Sequence, residues 1–154
     1  MTDTTRIADH IFSRIQEAFP TLETRIYSED PRDLCMEILR QDGLLFDVFL
    51  KLQNDDELHL RAGYFGSEWI PCTDEIKAKA YVDAVCGLLS GEYRIVEYYQ
   101  GGKPVKAELQ DLGLNGWETL ALKYSLTFPL PWQEKSTKIL QNKKVQANPA
   151  EISG

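Results

Sequence analysis

Three cysteines and two histidines are the residues of this chain best equipped for covalent or metal chemistry. Cys72 stands between Pro71 and Thr73, just before a predicted helix start. Backbone N–H groups and the helix dipole lower a thiol pKa at such a place. A nucleophilic thiolate also needs a base, and only His10 and His59 are on offer. His59 alternates with Leu58 and Leu60 on a predicted strand, so it faces away from them, and His10 lies near the polar side of the first helix. No spacing puts either beside Cys72, which therefore reads as a small residue between Pro71 and the cap. Cys86 falls beside an apolar helical stripe and reads as core.

A metal site needs three or four convergent ligands, and no C-x-x-C or H-x-x-x-H spacing supplies them. Gly101-Gly102-Lys103 lacks the frame of a phosphate loop and reads as a hairpin turn. No carboxylate pair and no serine elbow can be nominated. The sequence thus implies no catalytic residue, no metal and no cofactor.

Binding residues are easier to nominate. Tyr64, Phe65 and Trp69 crowd one stretch, GYFGSEWIPC, while Trp117 and Trp132 flank the last predicted strand. Such aromatics anchor a partner or plug the open ends of a sheet. His59, Arg61 and Arg94 suit an anionic small ligand if strand order brings them to one face, and Tyr98 and Cys72 join Arg61 and Arg94 in the pocket that reading implies.

Charge narrows the partner. The formal charge is −7. Beyond Trp132, four lysines oppose two glutamates, a net of +2, which leaves −9 on the body. That balance argues against nucleic acid, whose affinity rests on neutralising phosphates. No apolar run approaches the roughly 20 residues that span a bilayer. The first ten residues, MTDTTRIADH, carry no cationic start and apolar stretch, so no secretory signal is read there. An odd number of unpatterned cysteines implies reduced thiols, and the expected compartment is the cytoplasm.

The elements that must position these residues follow from periodicity. Ile7, Ile11, Ile15 and Ala18 or Phe19 stripe a helix from Asp3 or Thr4 to Phe19, ended by Pro20. Thr24–Ser28 is a short extended segment. Period two begins at Leu34, with Leu34, Met36 and Ile38 on one face, and Gln41-Asp42-Gly43 is a hairpin signal. The next strand, Leu44–Leu52, is partly apolar on both faces, and Glu57–Phe65 completes a meander. Thr73–Ser90 is the central helix, with Ile76, Ala80, Tyr81, Ala84, Val85, Leu88 and Leu89 on one face and Gly91 as its stop. Tyr93–Tyr99 and Lys103–Gln110 are strands. Glu118–Phe128 alternates most cleanly, with Leu120, Leu122, Tyr124, Leu126 and Phe128 facing one way.

The expected fold is α+β: two amphipathic helices packed on one face of an antiparallel sheet of about six strands, in the order α-βββ-α-βββ. Residues 1–132 form the single domain, and 133–154 a flexible C-terminal tail. That element order, with the acidic balance, is similar to the general plan of type III secretion chaperones. The likeness is one of outline, and those chaperones end in a helix where this chain ends in a strand and tail.

The expected function is a non-catalytic protein-binding module, adaptor or chaperone-like, with Tyr64, Phe65, Trp69, Arg61, Arg94 and Tyr98 as binding residues. A homodimer follows from the two-sided apolar character of Leu44–Leu52. The rival is a small anionic-ligand-binding protein or cysteine-dependent enzyme with a pocket between helices and sheet.

Overall fold

The computed structural model describes residues 2–143. Helix α1 (Asp3–Ala18) starts where Thr2 Oγ1 accepts from the Thr5 N–H at 3.2 Å, and its buried side chains include Ala8, Ile11, Phe12, Ile15 and Ala18. After it come β1 (Arg25–Tyr27), β2 (Leu34–Ile38), β3 (Val48–Gln53), β4 (Glu57–Ala62) and β5 (Phe65–Trp69), each antiparallel to the next in one five-stranded meander. Met36 pairs with Leu50, and Leu50 with Leu60. Strand alternation therefore sends these side chains, with Ile38, Val48, Leu52 and Leu58, to one buried face.

Both helices cover that face. Helix α1 packs on β2, and α2 (Glu75–Ser90) on β4 and β5, with the two helices touching side by side. Their buried residues and the inner face of the sheet form one core cluster. The start of α2 is capped by Asp74, whose Oδ1 accepts from the N–H groups of Ile76 and Lys77 at 2.9 and 3.3 Å. Tyr81, fully buried, donates its hydroxyl to the His59 carbonyl at 2.8 Å and meets Trp69 edge-on.

The remaining strands, β6 (Tyr93–Gln100), β7 (Lys103–Gly113), β8 (Gly116–Tyr124) and β9 (Lys135–Leu140), form a separate four-stranded antiparallel sheet in the order β8-β7-β6-β9. The expectation of one sheet of about six strands is corrected to two sheets of five and four, and the element order to α-βββββ-α-ββββ. Three causes account for the difference. The GYFGSEW stretch turns at Gly63-Tyr64 and returns as β5, where the expected meander ended at Phe65. Between the halves lies α2, so β6 begins a new sheet packed on that helix. Lys135–Leu140, expected in the flexible tail, pairs with β6 over its whole length. Its side chains are nearly all exposed, so it carries no apolar alternation to read. Residues 144–154 of the expected tail lie outside the described residues.

Two smaller corrections concern packing. Ile76, placed on the buried stripe of the central helix, is 80% exposed, and Ala80 is exposed too. From Tyr81 to Ser90, except for Asp83, the helix is buried nearly all round. Its second half is covered by β4 and β5 and also by β6. The Leu44–Leu52 segment becomes regular strand only at Val48. Its second face is less open than its composition implied, because Phe49 lies beneath the Arg61 guanidinium at 4.8 Å.

The two sheets are joined by side chains. Asn142, 4% exposed, donates from Nδ2 to the carbonyls of Gly43 (2.7 Å) and Leu89 (2.6 Å) and accepts the Leu45 N–H on Oδ1 at 3.2 Å. It thereby ties the end of β9 to the β2–β3 connection and to the last turn of α2. Gly91 ends α2 at φ +84°, and a Cβ there would run into the Asn142 carbonyl. At the other end of the join, the buried Glu97 carboxylate accepts the Tyr64 N–H at 2.7 Å and the Tyr99 hydroxyl at 3.1 Å. Burial first, then the neighbouring Glu97, pushes the Tyr99 hydroxyl up to about 12.

Asn142→Ala leaves two carbonyls and one N–H of this join without their partner, which costs on the order of 3 kcal/mol. Asn142→Asp keeps the shape but removes both donors, and it is expected to cost no less than the alanine. Urea unfolding monitored by circular dichroism measures both; an aspartate variant as stable as the parent contradicts the assignment.

Candidate functional site

The thiols are the first group to place. Cys35, Cys72 and Cys86 are all free and buried. Burial is the leading cause that raises each of their pKa values: Cys86 is pushed to about 11, and Cys72 is raised further by the Asp56 charge. The Cys72 N–H is engaged by the Asp56 carbonyl at 2.8 Å. His59 Nε2 lies 2.9 Å from Glu57. The nearest cysteine in register is Cys35, two strands away across Lys51, a separation of roughly 10 Å at ordinary strand spacing. No thiolate and base are brought together here. Among the described residues no cluster of three or more His, Cys, Asp or Glu could hold a metal ion.

The six nominated binding residues are scattered. Phe65 is fully buried core, and Trp69 is partly buried against Tyr81, so both plug the sheet. Tyr64 is half exposed at the β4–β5 turn, edge-on to Tyr99. Arg61 lies on the outer face of the first sheet, away from the helices. Arg94 and Tyr98 lie on the second sheet, so strand order separates Arg94 from Arg61. The space between helices and sheet is packed core. A groove of about 470 Å³ does exist, but on the opposite face, lined among others by Cys35, Phe49, Lys51, His59, Arg61, Glu68 and Lys123. Its Lys51 already faces Glu29 and Asp33 at 3.3 and 3.5 Å, and His59 faces Glu57. At Lys51 and His59 an anionic ligand would compete with these carboxylates, while Arg61 lies over Phe49.

The outer face of the second sheet has a different character. Register places Val96, Glu108 and Leu122 in one row across three strands, and Tyr98, Lys106 and Tyr124 in the next. At its centre Glu108 Oε2 accepts the Tyr98 hydroxyl (3.0 Å), the Gln110 amide (2.9 Å) and the Thr119 hydroxyl (3.2 Å). Desolvation works against this carboxylate, but the three hydrogen bonds and Lys106 prevail and hold its pKa below the usual value. Arg94 donates to Gln110 Oε1 at 3.0 Å and stacks 4.0 Å above Trp117. Around this satisfied polar centre stand exposed apolar side chains: Leu112, Leu122, Tyr124 and Ile139.

The apolar surface continues beyond β8. The segment from Ser125 to Glu134 crosses the tip of the β6–β7 hairpin to reach β9. Its backbone is pinned by Ser125 N–H to the Val105 carbonyl (2.9 Å), Gln100 Nε2 to the Leu130 carbonyl (2.7 Å) and Gly101 N–H to the Glu134 carbonyl (2.9 Å). The Thr127 hydroxyl adds a bond to the Pro104 carbonyl at 2.8 Å. Held at these points, the segment turns its large side chains outward: Leu126 is fully exposed, Phe128 93% and Trp132 79%. Comparison with known proteins identifies no relative, since no family model, no curated protein and no solved structure matches the chain.

Sequence reasoning singled out Trp117 and Trp132 but missed this surface. Its signal was present in the alternation of Leu120, Leu122, Tyr124, Leu126 and Phe128, the very pattern that a buried strand also shows. Only the packing separates the two. Those five side chains are exposed, while Leu109 and Ala107 of β7 point to the core.

Two outcomes follow. The three thiols of the native protein are expected to resist alkylation at neutral pH and to react at once in denaturant; fast labelling near pH 6 would restore the cysteine-enzyme reading. Because the folded pKa of Glu108 is depressed, its stabilisation is fully present above the unfolded value of about 4.3 and is lost as pH falls through the lower folded value. Thermal midpoints taken from neutral pH into that acid window should therefore fall less steeply for Glu108→Gln than for the parent.

Proposed function

We propose that this protein is a non-catalytic protein-binding module, adaptor or chaperone-like, acting in the cytoplasm. Its partner docks on the outer face of the second sheet and the crossover that follows β8. One observation carries the reading: Tyr124, Leu126, Phe128 and Trp132 are held exposed on hydrogen-bonded backbone. Large aromatic side chains offer roughly 150–250 Å² each when they are covered. Three of them with their leucine neighbours approach the ~800 Å² per partner of a stable interface. Monomeric proteins seldom leave a contiguous apolar patch of that size bare unless something binds it.

Further support comes from the absence of competing chemistry on the same face. Its polar centre is internally satisfied around Glu108, so covering it leaves the hydrogen bonds of Tyr98, Gln110 and Thr119 in place. The acidic composition suits a protein partner with basic rim residues. Among the described residues no helix is long and apolar enough to cross a membrane.

The test is capture from native lysate with the full chain and with a Leu126→Asp/Phe128→Asp variant. The variant should keep the parent's thermal midpoint and lose at least tenfold in captured partner, while Arg61→Ala keeps the partner. Loss with Arg61→Ala alone would move the site to the groove of the first sheet and overturn the assignment.

A further inference from the structure

The edge of β8 carries a more specific reading. β8 is the outermost strand of its sheet, paired on one side with β7. Among the described residues no backbone hydrogen bond joins Gly116–Tyr124 to any other segment on its far side. Such an edge is a template for another strand.

Register with β7 sorts the side chains. Trp117, Thr119, Leu122 and Tyr124 lie opposite Leu112, Gln110, Glu108 and Lys106 on the outer face; Glu118, Ala121 and Lys123 point to the inner face. A bulge at Leu120 shifts the alternation by one residue between the two halves of the strand. The two-residue hairpin closes on Gly113 and Gly116. Counted from that pair, antiparallel alternation turns the backbone N–H and C=O of Trp117 and Thr119 away from β7 and, past the bulge, those of Leu122 and Tyr124.

We infer that β8 is the seam of a twofold dimer, pairing antiparallel with β8 of a second copy about a point between Leu120 and Ala121. This deepens the protein-binding reading by naming one partner, and it rests on that reading in taking the exposure of β8 as functional. The half-turn about that point sets Trp117 against the partner's Tyr124 and Thr119 against the partner's Leu122, all four with free backbone groups facing across the seam. It also sets Glu118 against the partner's Lys123 on the inner face, twice over by symmetry. Neither Glu118 nor Lys123 has an ion-pair partner among the described residues, and both are exposed.

The register is selective. Sliding one copy by a single residue puts Glu118 opposite the partner's Leu122 or Tyr124 and mixes inner with outer face throughout. The bulge makes the chosen register consistent, because a two-fold axis between two residues fails on a regular strand whose neighbours alternate. Charges on an edge strand ordinarily discourage pairing with other strands. Here they oppose foreign strands and match a second copy of this one. In the dimer the two four-stranded sheets become one, and the apolar surfaces of the two copies lie on either side of the axis.

Sedimentation equilibrium of the full chain across the micromolar range tests this. A mass rising to twice 17.6 kDa is expected. Glu118→Lys and Lys123→Glu should each weaken the dimer about tenfold, since each replaces two opposite-charge pairs by like charges. The double variant E118K/K123E should regain the parent's affinity, and an equimolar mixture of the two single variants should form the heterodimer. A parent that stays monomeric throughout, or a dimer indifferent to all these changes, overturns the seam. Run beside the capture experiment, the two readings separate. A monomer whose capture is lost in Leu126→Asp/Phe128→Asp rejects the seam and leaves the docking surface standing. A charge-sensitive dimer that captures nothing does the reverse.

Discussion

The placing of the second sheet against the first sheet and its helices turns on two buried polar side chains, Asn142 first among them. Two antiparallel sheets that share no strand-to-strand hydrogen bonds among the described residues need some other directional contact to fix their relative position, because apolar packing alone is indifferent to small slides. Asn142 supplies it by satisfying its two donors and its acceptor on groups from the β2–β3 connection and the end of α2. A buried amide with every bond made is costly to move, since any slide strands several polar groups at once. Glu97 does the same at the other end of the join, with Gly63 giving it room: a Cβ there would come within 2.7 Å of the carboxylate.

That rigid join has a consequence for the surface. The second sheet leans its inner face on α2 and β5 and so must turn its outer face to solvent. Antiparallel sheets tolerate one wet face when it is polar. Here the centre of the face is polar and saturated around Glu108, while its border and the crossover after β8 are apolar and bare. The crossover owes its shape to hydrogen bonds with the β6–β7 hairpin, not to burial of its side chains. Stability and display are thereby uncoupled, so the exposed residues are free to serve contact.

The groups equipped for covalent chemistry are placed by the same packing. The cysteines sit where burial holds the proton on sulfur, His59 is engaged by Glu57, and in the first sheet's outer groove Lys51 faces Glu29 and Asp33. Burial raises all three thiols, away from the depressed values of a reactive cysteine.

Much of the local structure was legible in the chain itself. The span of the first helix, the stop of the second at Gly91, the turn at Gln41-Asp42-Gly43 and the α+β class follow from breakers and short-range periodicity, which act between neighbours in sequence; the cap of the second helix is Asp74, one residue past Thr73. Period two also marked β2, β3, β4, β6, β7 and β8, with ends misplaced by a few residues. What it could not reveal was which neighbour each strand would choose, or whether an alternating strand would be buried. The inner residues of β3 and the leucines of β8 read alike, yet Leu50 is core and Leu122 is exposed, because α2 and β5 cover only one side of the second sheet. β9 was invisible since backbone pairing, which carries no side-chain signature, is what holds it. The candidate site was therefore named in part, through Trp117 and Trp132, and misplaced in the rest. The sequence by itself determined the elements and their turns, through forces that reach four or five residues; the tertiary structure decided the split into two sheets and the bare face, because burial is settled by residues up to about a hundred positions apart, as Asn142 and Gly43 are.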